Sequence, residues 1–431
     1  FATVIYTLPL VVRLQGWIAG GGLVWLATSI AGILFARSPK TGDNPKFSWY
    51  ELLAMVAPYV FVLGLCFFLT YALQMIAASM GGVTIIREAN GMLTADAILQ
   101  LNEWNKWQLS SHNYHGLVNV FAWLRYPAAL FVIAVLLSWR VDINLFSIYQ
   151  YYKNRLVRAY LGASRSKRQA NPFTGFDMAD DLPMSHLQSQ RPYHIVNSAL
   201  NLVSGKELAW QQRKAAAFSI TPKFSGFQLS RSAAGGGGYR RTDEFLGTSS
   251  ASLVNPSITL GQALSISGAA ASPNMGYHSS PALAFLMTVF NVRLGRWCGN
   301  PAAKKAKYAF ADWTWLTQKF GLAQQIWQRD GPQFGAWYLL RELFSSSNEG
   351  TAFVYLSDGG HFENLAMYEL VRRRCKLIVV CDAGADKSGS FADLGNAIRK
   401  CYIDLGVEIE LNLDALRPDV ISNRSQHHYA V

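Results

Sequence analysis

The chain has 431 residues, of which 51% are hydrophobic and only 15% charged, with a formal net charge of +12 at pH 7. Two or three domains fit that length, and the apolar excess excludes an average soluble protein, so membrane spans come first. The basic residues cluster beside an apolar run, which points to anionic lipid headgroups before nucleic acid, and the five cysteines form no CxxC pair, which argues against a disulfide framework or a zinc site and fits a reducing cytoplasm.

The chain opens at Phe1 inside the apolar run "FATVIYTLPLVV". No basic segment precedes it and no small-residue cleavage site follows, so it reads as the tail of a span that starts upstream and not as a signal peptide. Three further runs reach the roughly 20 residues a span needs: 17–36, 52–78 with Pro58 inside, and 117–138 carrying Arg125. Arg37, Lys40 and Lys46 follow the first, and Arg140, Lys153, Arg155, Arg158, Arg165, Lys167 and Arg168 follow the third. The positive-inside rule puts both basic segments in the cytoplasm. Residues 142–168 are basic and aromatic. They read as a juxtamembrane helix meeting headgroups or, equally, as a solvated helix.

The domain expectation is therefore transmembrane helices over 1–140, a basic juxtamembrane and first cytoplasmic part over 141–225, a flexible Gly/Ser-rich loop over 226–250, and an α/β domain over 251–431. Gly235 to Gly238 follow no clear strand and open no helix, so they form no phosphate cradle. "HIVNSALNLV" reads as a strand or a short helix, and "ALSISGAAAS" as a short strand. "PALAFLMTVFNVRLG" reads as a helix entered through Pro281. "TAFVYLSD" then predicts a strand, "NLAMYELVRRR" a helix, "CKLIVVCDA" a buried strand of the parallel kind, "FADLGNAIRKCYIDLG" a helix and "VEIELNL" a strand. Such alternation predicts a parallel or mixed sheet sandwiched by helices.

In sheets of that kind ligands sit at the carboxyl ends of strands. Asp358 stands there, and Gly359 and Gly360 permit a tight turn and close approach of substrate. Such an acid can orient a base, act as one, hold a metal, or simply cap the helix that comes after it. His361 and Glu363 match no familiar metal-ligand spacing. Asp382, in "IVVCDAGAD", is the second strand-end acid, with a loop cap as its structural role. No G-x-S-x-G string occurs. Ser267 in "SISGA" comes nearest to an imperfect nucleophile elbow, against a turn serine.

"YLSDGGHFENLAMYELVRRRCKLIVVCDAGAD" resembles the aspartate-bearing segment of bacterial membrane-attached patatin-like phospholipases and, more distantly, the cytosolic phospholipase branch of that superfamily. "ISGAAASPNMGYHSSPALAFLMTVFNVRLG" and "NRLVRAYLGASR" resemble other stretches of the same group, so the likeness covers roughly 142–425. It implies an α/β patatin-like fold and a serine–aspartate dyad cleaving lipid acyl esters without histidine or cofactor. Asp358 would be the base, and Gly359 and Gly360 would lie against the substrate. The family's glycine-rich oxyanion stretch and its serine precede the aspartate and are not in this sequence, so the nucleophile is expected upstream of Phe1.

The resulting expectation is a hydrolase of the bacterial inner membrane with its α/β domain in the cytoplasm. Its partners would be a phospholipid or other lipid ester and the membrane, not nucleic acid, with a homo-oligomer left open. The alternatives are a catalytically inactive scaffold or transport-associated protein, and an acyl transferase.

Overall fold

The computed structural model describes residues 131–204, 213–228, 238–246, 257–303 except 280, 325–386 except 345, and 389–417, besides a few isolated positions. The chain divides into two units, Phe1–Ala134 and Val135–Val431, and the sheet and its helices belong to the second.

Six strands form one sheet: β1 (Val196–Asn201), β2 (Ala215–Ile220), β3 (Phe224–Phe227), β4 (Gly238–Arg241), β5 (Arg296–Gly299) and β6 (Phe353–Asp358), in the order β4-β3-β2-β1-β6-β5. Every neighbouring pair is antiparallel. β1 pairs with β2 from Val196↔Ile220 to Asn201↔Ala215, and with β6 through Ser198↔Asp358 and Leu200↔Leu356. The expected patatin-like parallel or mixed sheet is thus corrected to an antiparallel one. β6 misleads because it is central. Phe353 and Tyr355 pack with Trp297 and Tyr338 on one face, while Val354 and Leu356 join Leu200, Phe218 and Ile266 on the other. These four side chains are completely buried. Burying Phe353, Val354 and Leu356 is worth about 1.5–3 kcal/mol each. A strand covered on both faces reads as a continuous apolar run whatever its direction, and only the pairing shows that direction.

Within 226–250, expected as a loop, stand the end of β3 and all of β4, and Phe245 and Leu246 are buried. Gly226, with φ +153°, allows the β3–β4 ladder, since a Cβ there would lie 1.9 Å from the Gly238 carbonyl oxygen. Residues 229–237 and 247–250 lie outside the described residues.

Helix α1 (Ile148–Leu156) and helix α2 (Leu260–Ser267) cover the Phe218 face, to which Tyr149, Leu260, Ala263 and Ile266 contribute. α2 replaces the strand expected over "ALSISGAAAS". Thr259 Oγ1 accepts from the Gln262 amide at 3.1 Å and Gln262 Oε1 accepts from the Thr259 amide at 3.0 Å. This capping box opens a helix and overrides the short alternation of Leu264, Ser265, Ile266 and Ser267. α3 (Pro281–Val289), α4 (Gly335–Leu343), α5 (Met367–Arg372) and α6 (Ala392–Leu405) come next. α3, α5 and α6 fall where periodicity and punctuation place them. "CKLIVVCDA" and "VEIELNL" do not become strands. Among the described residues their backbones enter no sheet, and Leu377 and Val379 are 82% and 74% exposed. Ile378, Val380 and Ile409 pack instead beside Met367, Ala397 and Cys401 of α5 and α6.

The expected integral-membrane localisation, transmembrane region and inner-membrane setting are also corrected. Among the described residues no helix is long and apolar enough to cross a membrane. Residues 131–140 are helical. At 1.5 Å per residue they cover about half of a roughly 30 Å hydrocarbon layer. The runs 17–36 and 52–78, and most of 117–138, lie outside the described residues. Part of the basic stretch after 140 is used internally. Lys153 pairs with Asp181 at 3.2 Å, Arg165 with Asp180 at 2.6 Å and Arg168 with Asp180 at 2.5 Å.

Candidate functional site

β6 ends on Asp358, whose backbone (φ −47°, ψ 133°) leads into a 3-10 turn over Gly359–His361. Asp358 Oδ1 accepts from the Gly360 amide at 2.8 Å. The carboxylate therefore caps its own turn, satisfying a donor that the turn leaves open. Gly359 is needed for close approach, because a Cβ there would lie 2.9 Å from the Asn197 carbonyl oxygen on β1. At Gly360 a Cβ would meet Asn364 Oδ1 at 2.8 Å.

Burial raises the Asp358 carboxyl pKa above its ordinary value, opposed by the Gly360 hydrogen bond. Desolvation disfavours the charged form, and among the described residues no cation offsets it. Tyr152 of α1 lies within reach of that charge. Its phenol pKa is raised by burial first and by Asp358 second, and its hydroxyl donates to the Gly268 carbonyl at 3.1 Å. The Asp358 amide in turn donates to the Ala269 carbonyl at 3.4 Å. The segment after α2 is thereby held against the end of β6.

That contact lies two residues after Ser267. Ser267 is the last residue of α2, not the corner of a strand-turn-helix elbow. Carbonyls crowd a helix C-terminus and its dipole end is negative, the wrong polarity for stabilising an oxyanion. Asp382 stands outside the sheet, and its Oδ1 accepts from the Gly384 amide at 2.8 Å, a turn cap. The carboxylate of Glu363 accepts from the amides of Leu365 and Tyr368. Among the described residues no three His, Cys, Asp or Glu side chains gather as a metal site would require.

Two features escaped the sequence reading. The first is a hydrogen-bonded chain behind Asp358, buried at Asn201 and Ser357 and half-buried at His361. Asn201 Nδ2 donates to Ser357 Oγ at 2.8 Å, Ser357 Oγ bonds His361 Nδ1 at 2.8 Å, and Asn201 Oδ1 accepts from the Gly276 amide at 2.9 Å. Strand alternation turns Ser357 and Asp358 to opposite faces, so these neighbours form no serine–aspartate dyad. Serine and histidine four apart around a glycine pair were the available clue.

The second is a cavity of about 570 Å³ beside the turn, lined by Gly360, His361 and Phe362, by Arg213, and by Arg399 and Lys400 of α6. Lys400 is only 5% exposed and donates through Nζ to the Phe362 carbonyl. Ala397, Lys400 and Cys401 share the buried stripe of α6, so a lysine on an apolar helix face was the legible trace. No family model, no curated protein and no solved structure matches this chain.

Proposed function

We propose that the protein is a lipid acyl-ester hydrolase in which Asp358 is the general base. The observation that carries this reading is a strand-end carboxyl whose burial raises its pKa, set on a glycine turn beside a large cavity. A carboxylate shifted toward neutrality accepts a proton at working pH better than an ordinary one. Its likeness to the Asp-Gly-Gly segment of patatin-like phospholipases supplies the substrate class.

In this reading Asp358 takes the proton of a serine hydroxyl as its Oγ attacks the acyl carbon. The leaving alcohol then recovers that proton, and water repeats the sequence on the acyl-enzyme. Ser357 is turned away and Ser267 sits at a helix C-terminus, so neither is assigned as that serine. A non-catalytic domain is the second reading. It is favoured by one observation, that the Asp358 carboxylate already has structural work in capping Gly360.

Labelling the full-length protein with a fluorophosphonate, with Asp358→Asn as control, separates the two. The hydrolase reading expects labelling and ester cleavage in the wild type and loss of both in Asp358→Asn, whose Oδ1 can keep the cap. A folded wild type that neither labels nor cleaves any lipid ester supports the second reading.

A further inference from the structure

Three cationic side chains, Arg213, Arg399 and Lys400, stand on the wall of the cavity beside the Gly359–His361 turn, against the single carboxylate of Asp393. The Arg213 guanidinium lies 5.5 Å and Lys400 Nζ 4.8 Å from the centroid of the Phe362 ring, so one aromatic ring holds two cations close together. Arg213 is paired with Asp404 at 2.9 Å, and that carboxylate is shared with the Tyr368 hydroxyl at 3.0 Å. Arg213 Nε is buried and has no hydrogen-bond partner among the described residues. Lys400 makes its hydrogen bond to a neutral carbonyl, that of Phe362.

The strain of this arrangement shows in Lys400, whose pKa is lowered to about 8, by burial first and by the charge of Arg213 second. Like charges gathered in a partly desolvated wall raise one another's energy, and a bound anion offsets that. The charges of Glu363 and Asp404 offset part of that for Lys400, and Asp393 Oδ2 accepts from the Asn364 amide group at 2.9 Å.

We propose that this cavity is a phosphate-binding site, in which Lys400 and Arg399 hold the oxygens of a phosphate ester and the remaining space takes its organic part. Guanidinium and ammonium groups together suit the tetrahedral phosphate, one as a planar fork and the other as a compact charge. The volume lies in the range of organic ligand sites, well beyond a bare ion. Assigning that phosphate to the substrate cleaved beside Asp358 rests on the hydrolase reading, whereas binding of the phosphate does not.

Calorimetric titration of the full chain tests the site with three probes: inorganic phosphate, dihexanoyl-phosphatidylglycerol below its micelle concentration, and the uncharged dihexanoylglycerol. Phosphate-bearing probes are expected to bind the wild type and to lose about tenfold in affinity in Lys400→Met, which keeps the buried alkyl stem. The exposed Arg399→Gln, which leaves the core untouched, is expected to weaken them as well. Tighter binding of the lipid probe than of inorganic phosphate assigns a headgroup, and equal binding assigns free phosphate. No binding of either probe to folded wild type, or binding unchanged in both variants, overturns the site. Asp358→Asn is expected to bind like the wild type. Phosphate binding with no ester cleavage by the wild type would therefore sink the base assignment and leave the cavity standing.

Discussion

Arg293 and Glu342 form an ion pair at 2.7 Å with 2% and 0% side-chain exposure, under the Trp297 face of the sheet. Glu342 Oε1 also accepts from the Trp297 indole at 2.6 Å, while Arg293 donates to Asn291 Oδ1 and to the Ile143 carbonyl. Glu342 Oε2 has no partner among the described residues, and burial raises the carboxyl pKa despite the arginine. Replacing Arg293 with Met leaves a buried carboxylate uncompensated, which costs about 3–5 kcal/mol at pH 7.

The sign of the pH dependence comes from the raised pKa. Glu342 binds its proton more tightly folded than unfolded, so its contribution is fully present below the unfolded value and is lost as pH rises through the folded one. Without Arg293 the folded pKa moves further up, and lowering the pH from about 7 to about 5 should recover much of the loss as Glu342 becomes neutral. Arg293→Met/Glu342→Gln keeps an acceptor for Trp297 and should recover most of it at both pH values. Urea unfolding followed by tryptophan fluorescence reads all of this. A single-variant loss below about 1 kcal/mol, or one equal at both pH values, refutes the picture of a costly buried charge held by its partner.

Gly359→Ala should destabilise by about 1–3 kcal/mol, because its Cβ would press on the Asn197 carbonyl, and should remove fluorophosphonate labelling by displacing Asp358. A thermal melt beside the labelling assay checks both, and an unchanged melting temperature contradicts the close approach. Ser357→Ala removes the bonds to Asn201 Nδ2 and His361 Nδ1, while Asn201 keeps the Tyr355 carbonyl, and should cost about 0.5–1.5 kcal/mol in urea unfolding. If Asp358 is the base, the acid limb of the kcat/KM profile should lie above the ordinary carboxylate value of about 4. Activity undiminished down to pH 4 would contradict that role.

What the residues determine by themselves is local. The Pro281 start of α3, the Gly406 end of α6 and the apolar run of β6 are written within a few residues, because caps, fixed φ values and burial act over one or two turns. Asp358 at a strand end, followed by glycines, is legible for the same reason. Pairing and partners are decided elsewhere. The direction of β6 depends on Ser198 and Leu200 more than 150 residues earlier. α2 depends on a capping box that outcompetes a tempting alternation. The apolar run at 376–381 looks like a strand, yet its half-buried side chains are taken up by α5 and α6. The phosphate-binding wall joins Arg213, the turn after β6 and Lys400, three segments with no local relation. Only tertiary packing brings their charges within reach of one another, because Coulomb interactions depend on distance through space and not along the chain.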